Sequence, residues 1–161
     1  MGGNVTYLGG LVNFFKFYDV DMVCCQEVGV EEDRLNEIVE GYGYVAKVSK
    51  KEETKLGVAI IWKENLKIQG YGVLKEGEGQ FVKIGNAKII NVYMPSGTKR
   101  KREREELIGG ELFEWTLDEE VQMMVGDWNC VLDTKDVETN FEDRGSRNLR
   151  EVIKVGRWRD E

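Results

Sequence analysis

Five short segments between residues 43 and 93 have the length and the apolar, β-branched composition of β-strands, and polar or glycine-containing turns separate them. The segments are residues 44–48, 56–62, 67–74, 80–84 and 87–93. Because strands this close in sequence pair most simply with their chain neighbours, we predict an antiparallel meander. This stretch restricts the chain to folds in which a sheet forms much of the core.

Strand and helix segments also flank the meander on both sides. The predicted strands are residues 20–25 and 121–125, and the predicted helices are residues 10–18, 31–40, 99–117 and 146–155. Ser146 is a suitable N-cap for the last helix, whereas Gly109 and Gly110 interrupt the helix before it. The whole pattern predicts one mixed α/β (α+β) domain over residues 1–161, with two packed sheets and helices outside them.

Histidine is absent from all 161 residues, and its absence restricts the chemistry that the chain supports. It excludes a Ser-His-Asp or Cys-His nucleophilic centre and a zinc site with histidine ligands. The odd cysteine count makes a poor disulfide framework, and we predict that the adjacent Cys24 and Cys25 are small buried residues beside a separate Cys130. Carboxylates that hold a hard metal ion are the remaining natural means of catalysis.

The chain carries a formal net charge of −7, from 30 acidic and 23 basic residues. A pure nucleic-acid-binding module is usually basic, so this balance counts against such a module but not against an enzyme that holds a cation with carboxylates. No apolar run reaches the ~20 residues that cross a bilayer, and the N-terminus has no signal-peptide pattern. We therefore expect an intracellular protein, nuclear or cytoplasmic, with no membrane association and no indicated protein partner.

Polar residues follow three of the predicted strands at the points where those strands end. They are Gln26 with Glu27, then Tyr93, and finally Asp127 with Asn129. Loops at strand ends are where α/β proteins place ligands and catalytic groups, because the sheet holds them rigidly. Each position also has an ordinary structural explanation: a solvated acid after a strand, an outward-facing strand tyrosine, and an Asx turn.

Four stretches in order resemble the endonuclease/exonuclease/phosphatase superfamily. They are DVDMVCCQEV at 19–28, GVAIIW at 57–62, IINVYMPSG at 89–97 and VGDWNCVLD at 125–133. GVAIIW and GDWNCVLD look most like the endonuclease domains of non-LTR (LINE-type) retrotransposons, with Trp128 in place of the usual phenylalanine. The resemblance implies a four-layer DNase I-like fold, a two-sheet β-sandwich flanked by helices.

The resemblance also implies metal-dependent phosphodiester hydrolysis with DNA as the substrate. Glu27 would bind Mg²⁺, or Mn²⁺ in its place, and the cation would neutralise charge that develops on the phosphate. Asp127 would orient or deprotonate the attacking water, and Asn129 would hold Asp127 or the phosphate. Tyr93 would donate a hydrogen bond to a phosphate oxygen.

The chain departs from the family at both ends. The family ends on a Ser-Asp-His motif, which a chain without histidine does not carry, so the resemblance implies a domain incomplete at its C-terminus with weak or no activity. The family's first strand carries an active-site asparagine, for which Asn4 is the candidate. Two alternatives stay open, a non-catalytic remnant with a binding role and a phosphatase acting on lipid or inositol phosphates.

A run of basic residues, KRKRER at 99–104, follows the Tyr93 strand directly. Its first four residues are candidates for contacts with DNA phosphates beside the site: Lys99, Arg100, Lys101 and Arg102. Glu103, Glu105 and Glu106 dilute the positive charge, and a solvated helix start explains the run equally well.

Overall fold

The computed structural model describes residues 10–11, 13–15, 17–52, 56–74, 77–117, 121–132 and 145–155. The described residues between 10 and 17 have helical backbone, which agrees with the first predicted helix. Asn4, the candidate from the family's first strand, lies outside the described residues. No helix in these ranges is both long enough and apolar enough to serve as a bilayer-spanning segment.

Seven strands run through the described part of the chain, and each predicted strand segment overlaps one of them. Their bounds are β1 (Met22–Val28), β2 (Tyr44–Lys50), β3 (Gly57–Lys63), β4 (Gly70–Val73), β5 (Gly79–Ile84), β6 (Ala87–Tyr93) and β7 (Val121–Asp127). The first sheet has the order β1-β3-β2 and is antiparallel throughout. The second has the order β4-β5-β6-β7, in which β6 and β7 are parallel.

The prediction of one continuous meander was wrong in one respect, because the five strands are divided between the two sheets. β2 and β3 belong to the first sheet, whereas β4, β5 and β6 form a meander in the second. Residues 57–62 of β3 are buried on both faces, so this strand needs a layer on either side and takes the central place in its sheet. Local alternation indicates a strand but does not show which neighbour pairs with it.

The helices lie where the sequence predicts them. They are α1 (Glu32–Val39), α2 (Lys101–Leu107), α3 (Phe113–Trp115) and α4 (Arg147–Val155), with a π-helical turn at Ile108–Leu112 between α2 and α3. Gly110 has non-helical backbone angles within that turn, as the predicted interruption requires. Ser146 caps α4, since the backbone N–H of Leu149 donates to its Oγ at 3.0 Å.

Three apolar clusters fill the spaces between four layers. The first joins the outer face of the first sheet to α1 and to Phe15, and includes Leu35 and Ile61. The second lies between the sheets around Ile60 and Trp62. The third packs α2, α4 and the π-helical turn on the second sheet, as the list of its buried members shows: Leu74, Ile90, Val92, Met94, Ile108, Leu112, Leu149 and Val152. This arrangement confirms the predicted two-sheet sandwich flanked by helices.

The adjacent cysteines of β1 face opposite layers and are only partly buried. Cys24 packs against the cluster between the sheets, and Cys25 against the cluster beneath α1. Both are free thiols, as is Cys130, and burial raises the pKa of Cys24 to about 12. The side chains therefore behave as small apolar groups, although they are half-buried where the sequence predicted buried residues.

A buried amide joins the two sheets. Asn91 lies on the inner face of β6 with no exposed surface, and its Nδ2 donates to the carbonyls of Cys25 and Ala59 in the facing sheet, both at 3.0 Å. Its Oδ1 accepts from Gln26 Nε2 at 2.7 Å. These three bonds fix β6 against β1 and β3, and so fix the relative position of the two sheets.

Replacing this amide should destabilise the whole domain. We expect Asn91→Ala to lower the free energy of unfolding by about 2–4 kcal/mol, since it leaves buried partners without hydrogen bonds. Urea unfolding followed by tryptophan fluorescence measures the change. Gln69→Ala, at an exposed position, is the control and should stay within about 0.5 kcal/mol. Equal stability of the two variants would contradict the role given to Asn91.

Candidate functional site

Three of the predicted site residues meet at one end of the sandwich. Tyr93 and Asp127 are the last residues of the parallel strands β6 and β7, and their Cα atoms are partners across the pair. Glu27 is the penultimate residue of β1, in the facing sheet. The carboxyl ends of these three strands therefore share one edge of the sandwich, as predicted for ligand-binding loops.

Glu27 reaches this edge because of an irregularity in β1. The register between β1 and β3 shifts between Cys25 and Val28, and Glu27 has a positive φ of 56°. Regular alternation would place Glu27 on the α1 side with Cys25, away from the facing sheet. The bulge turns the carboxylate toward the second sheet instead. A positive φ at a non-glycine residue is a strained conformation that clusters at functional sites.

Tyr93 and Glu27 are in direct contact across the two sheets. The Tyr93 hydroxyl donates to Glu27 Oε1 at 3.1 Å. Burial raises the pKa of Tyr93, and the Glu27 carboxylate and the charge of Asp127 raise it further, whereas Arg100 lowers it. The phenol therefore stays protonated at neutral pH and remains a hydrogen-bond donor. Among these three charged groups, Glu27 is the one that contacts the hydroxyl directly.

Asp127 and Asn129 form a tight turn after β7. The backbone N–H of Asn129, whose φ is 48°, donates to Asp127 Oδ1 at 2.9 Å. Asn129 Nδ2 donates to the carbonyl of Met94 at 2.9 Å, and the Met94 N–H donates to the carbonyl of Asp127 at 2.8 Å. The turn thus fixes the Asp127 carboxylate against the end of β6, while Trp128 packs into the core beneath the helices.

The glycine of the Gly-Asp-Trp-Asn stretch is required by the close approach of β7 to β6. Gly126 has a φ of 140°, and a Cβ there would lie 2.0 Å from the carbonyl oxygen of Val92. Backbone atoms of β6 cannot move out of the way without breaking the sheet. Only glycine therefore allows Asp127 to lie beside Tyr93.

A methyl group at this position should be costly. We expect Gly126→Ala to destabilise the domain by at least about 2 kcal/mol, through both the clash and the unfavourable φ. Gly41→Ala is the matched control, because Gly41 has open space around its Cβ position. Urea unfolding of both variants tests this, and a Gly126→Ala variant as stable as Gly41→Ala would show that the strands do not approach so closely.

Sequence reasoning noted Gln26 but did not identify Asn91 as part of the site's support. Gln26 and Asn91 hold the end of β1 to β6 directly behind the Glu27–Tyr93 contact. One sequence signal pointed to Asn91: an amide within the apolar run IINVY, in phase with Tyr93 two residues later. A polar residue on the buried phase of a strand requires partners, which here come from the other sheet.

The basic run is partly engaged in ion pairs. Arg100 bonds to Glu103 and Glu78, and Arg102 bonds to Glu106 at 2.8 Å on the exposed face of α2. Lys99 is exposed, and Lys101 is half-buried. Of the four residues, Arg100 is the one whose charge acts on the Tyr93 hydroxyl.

The donor atoms at the site suit a hard cation that keeps most of its water. Glu27 is exposed, and its second carboxylate oxygen has no hydrogen-bond partner within the described ranges. No group of three or more Asp, Glu, His or Cys side chains able to hold a metal occurs in that part of the chain. Mg²⁺ binds through one or two carboxylates plus water and substrate phosphates, so a single exposed carboxylate fits it better than it fits zinc or calcium.

Comparison with solved structures identifies the fold. An AP endonuclease from Archaeoglobus fulgidus superposes with a TM-score of 0.70 and 21 % sequence identity, over 92 % of this chain and 64 % of that one. The 3′ phosphatase NExo from Neisseria, bound to a product DNA hairpin, gives a TM-score of 0.71 and 16 % identity over 94 % and 65 %. Truncated TDP2 from Caenorhabditis elegans gives 0.60 and 16 % over 84 % and 59 %.

These similarities show a DNase I-like fold. The chain spans about two thirds of the length of the first two structures. No protein-family model matches the sequence, and no curated protein matches it either.

Proposed function

We propose that this domain hydrolyses phosphodiester bonds in DNA, slowly and with a divalent cation. The observation that carries the proposal is the contact between Tyr93 and Glu27 beside the Asp127–Asn129 turn. Three strand ends bring together an exposed carboxylate, a protonated phenol and a second exposed carboxylate held by a backbone N–H. Two of the similar structures are described as an AP endonuclease and as a phosphatase bound to DNA, which supports DNA as the substrate class.

Each residue has a role that follows from its surroundings. Asp127 would accept the proton of the attacking water, since its carboxylate is exposed and the Asn129 N–H holds one of its oxygens. Tyr93 would donate to a phosphate oxygen in exchange for its bond to Glu27. Glu27 would bind Mg²⁺, with Mn²⁺ as a substitute, and the cation would supply Lewis-acid stabilisation of the charged phosphate.

The absence of histidine from the sequence lowers the rate of hydrolysis that we expect. No imidazole is available as a proton donor or as a stabiliser of the transition state. Removing one preorganised group of this kind typically costs about 10²–10³ in rate, and such losses need not add. We therefore expect turnover far below that of enzymes of this fold that carry a histidine. A folded chain that binds DNA without cleaving it is the alternative, and the same lack of histidine favours it.

The decisive test is nicking of supercoiled plasmid DNA. We expect slow conversion to the open circle with Mg²⁺ or Mn²⁺, none with EDTA, and none for Asp127→Ala, which lacks the proposed general base. Asp33→Ala, at an exposed position on α1, is the matched control and should nick like the unmodified chain. Folded protein that binds DNA but never nicks it would instead support the binding role.

We further propose that Lys99, Arg100, Lys101 and Arg102 contact the phosphate backbone beside the site. Each phosphate neutralised by a basic side chain adds about 0.9 to the slope of log affinity against log salt concentration. The Arg100→Gln, Arg102→Gln double variant should therefore lower that slope by about 1–2 in a fluorescence-anisotropy titration with duplex DNA. An Arg34→Gln, Arg147→Gln variant removes the same charge elsewhere on exposed helix surfaces. Equal slopes for the two variants would remove the basic run from the interface.

The sequences of two motifs support a proposal about the origin of the domain. GVAIIW and GDWNCVLD support descent from a LINE-type retrotransposon endonuclease. A DNA substrate would place the chain in the nucleus or the cytoplasm.

A further inference from the structure

Four charged side chains from three separate segments meet beside the end of β6. Lys51 follows β2, Glu78 precedes β5, and Arg100 and Glu103 begin the helix after β6; we call these four residues the ion cluster. Lys51 Nζ donates to Glu78 Oε1 at 3.1 Å and to Glu103 Oε1 at 2.8 Å. Arg100 donates from Nε to Glu103 Oε2 at 2.7 Å and from Nη2 to Glu78 Oε1 at 3.2 Å.

The cluster is buried more deeply than surface ion pairs are. Glu78 and Lys51 are 4 % and 8 % exposed, and the four formal charges sum to zero. Burial raises the pKa of Glu78, whereas the hydrogen bonds from Arg100 hold the pKa of Glu103 at about 2. Buried ion pairs are weak evidence for added stability, and in some proteins they fix a geometry instead.

The backbone around Glu78 is shaped to bring its side chain to this place. Gly77 has a φ of 76°, and a Cβ there would lie 2.4 Å from the carbonyl oxygen of Lys50. The turn can therefore approach the end of β2 only with glycine at this position. The carbonyl of Glu78 in turn accepts the backbone N–H of Tyr93 at 2.7 Å. The ion cluster is thus tied to the strand end that carries Tyr93.

Arg100 is held on one side only. Its Nε and Nη2 are used by the two carboxylates, while its Nη1 has no hydrogen-bond partner in the part of the chain that the structure describes. Its Nη2 donates to Glu78 Oε1, and the carbonyl of Glu78 accepts the backbone N–H of Tyr93, so the guanidinium lies close to the strand end that carries Tyr93. A guanidinium fixed along one edge presents its remaining N–H groups in a set direction, and such groups suit phosphate oxygens.

We propose that Glu78 and Glu103 are positioning residues, which fix Arg100 so that its Nη1 binds a phosphate oxygen beside Tyr93. The ligand class is the phosphate group of a phosphodiester, and the inference rests on the proposed function. Lys51 balances the second carboxylate, so that the cluster is not left with an excess of negative charge that would repel phosphate. Arg102 differs from Arg100, because its side chain is 90 % exposed and it pairs with Glu106, which is also on the surface.

Arg100 and its neighbours in the basic run would then have different roles. Arg100 would contribute a fixed contact with one phosphate at the site, whereas its neighbours would contribute attraction that depends on overall charge. A purely structural ion cluster would stabilise the fold but would not bind phosphate. Removing Glu78 would then change stability and leave phosphate binding as it was.

The test uses the full chain, inorganic phosphate as the probe and EDTA in place of a metal. Arginine Nε–Hε signals in ¹H–¹⁵N spectra report each guanidinium separately. We expect the chemical shift of the Arg100 signal to change as phosphate is added and to reach a plateau, as it does when a site is filled. Arg34 forms the matching exposed pair with Glu37, also three residues apart, and its signal should shift without saturation. Glu78→Gln should weaken phosphate binding at Arg100 about three- to tenfold, as expected for groups in one network, whereas Glu37→Gln should not.

A second variant decides the matter if Glu78→Gln does not fold. Arg100→Lys keeps the charge but loses the planar guanidinium with its several N–H donors. The saturable response of the Tyr93 backbone amide signal to phosphate should therefore weaken. Arg34→Lys is the control and should leave that response unchanged. The inference is overturned if Arg100 shows no saturable shift, or if the folded Glu78→Gln or Arg100→Lys variant binds phosphate like the unmodified chain. The phosphate titration involves neither a metal nor DNA cleavage. A chain that binds phosphate at Arg100 but never nicks DNA would therefore contradict the proposed function and leave this inference standing. A chain that nicks DNA but shows no saturable shift of the Arg100 signal would contradict this inference and leave the proposed function standing.

Discussion

The candidate site depends on the buried amide of Asn91, because its members come from two different sheets. Glu27 belongs to one sheet and Tyr93 and Asp127 to the other, so no element holds all three. Apolar packing between sheets is tolerant of small sliding motions, whereas the hydrogen bonds of Asn91 to Cys25, Ala59 and Gln26 are directional. A shift of about 1 Å between catalytic groups is enough to cost a large factor in rate. The amide therefore converts a packed sandwich into a site of fixed geometry.

Much of the architecture follows from the sequence, because local patterns determine the elements. The strand segments, the two packed sheets with helices outside them, the glycine interruption before α3 and the Ser146 cap were all predicted from periodicity, composition and turn chemistry. The four-layer DNase I-like form came from the family resemblance. The division of the strands between two sheets was not, because pairing is decided by which faces remain to be covered. The conformation of Glu27 was also beyond local reasoning. A regular strand would have turned its carboxylate away from Tyr93, and the bulge that corrects this depends on contacts with the other sheet.

The contacts of the charged residues could not be predicted from the sequence either. The run KRKRER was visible as a block of positive charge, and from sequence its members looked equivalent. The structure makes them different: Arg100 joins a buried cluster with residues far away in the chain, and Arg102 stays on the surface. Lys51 and Glu78 gave no signal of their own, because charged residues are common in turns. The net charge of −7 likewise says little about a site where charges are paired one by one.

The parallel pairing of β6 and β7 has a consequence for the order in which the molecule is made. Hairpins such as β2–β3 and β5–β6 join neighbours in the chain and can form early, as local contacts do. The β6–β7 pair must wait for the whole crossover through α2 and α3, and the Glu27–Tyr93 contact closes a separation of 66 residues. On a ribosome, the strand that delivers Asp127 emerges long after the one that delivers Glu27. The nascent chain therefore carries the first sheet and the β4–β5–β6 meander for some time before it carries all three strand ends of the site.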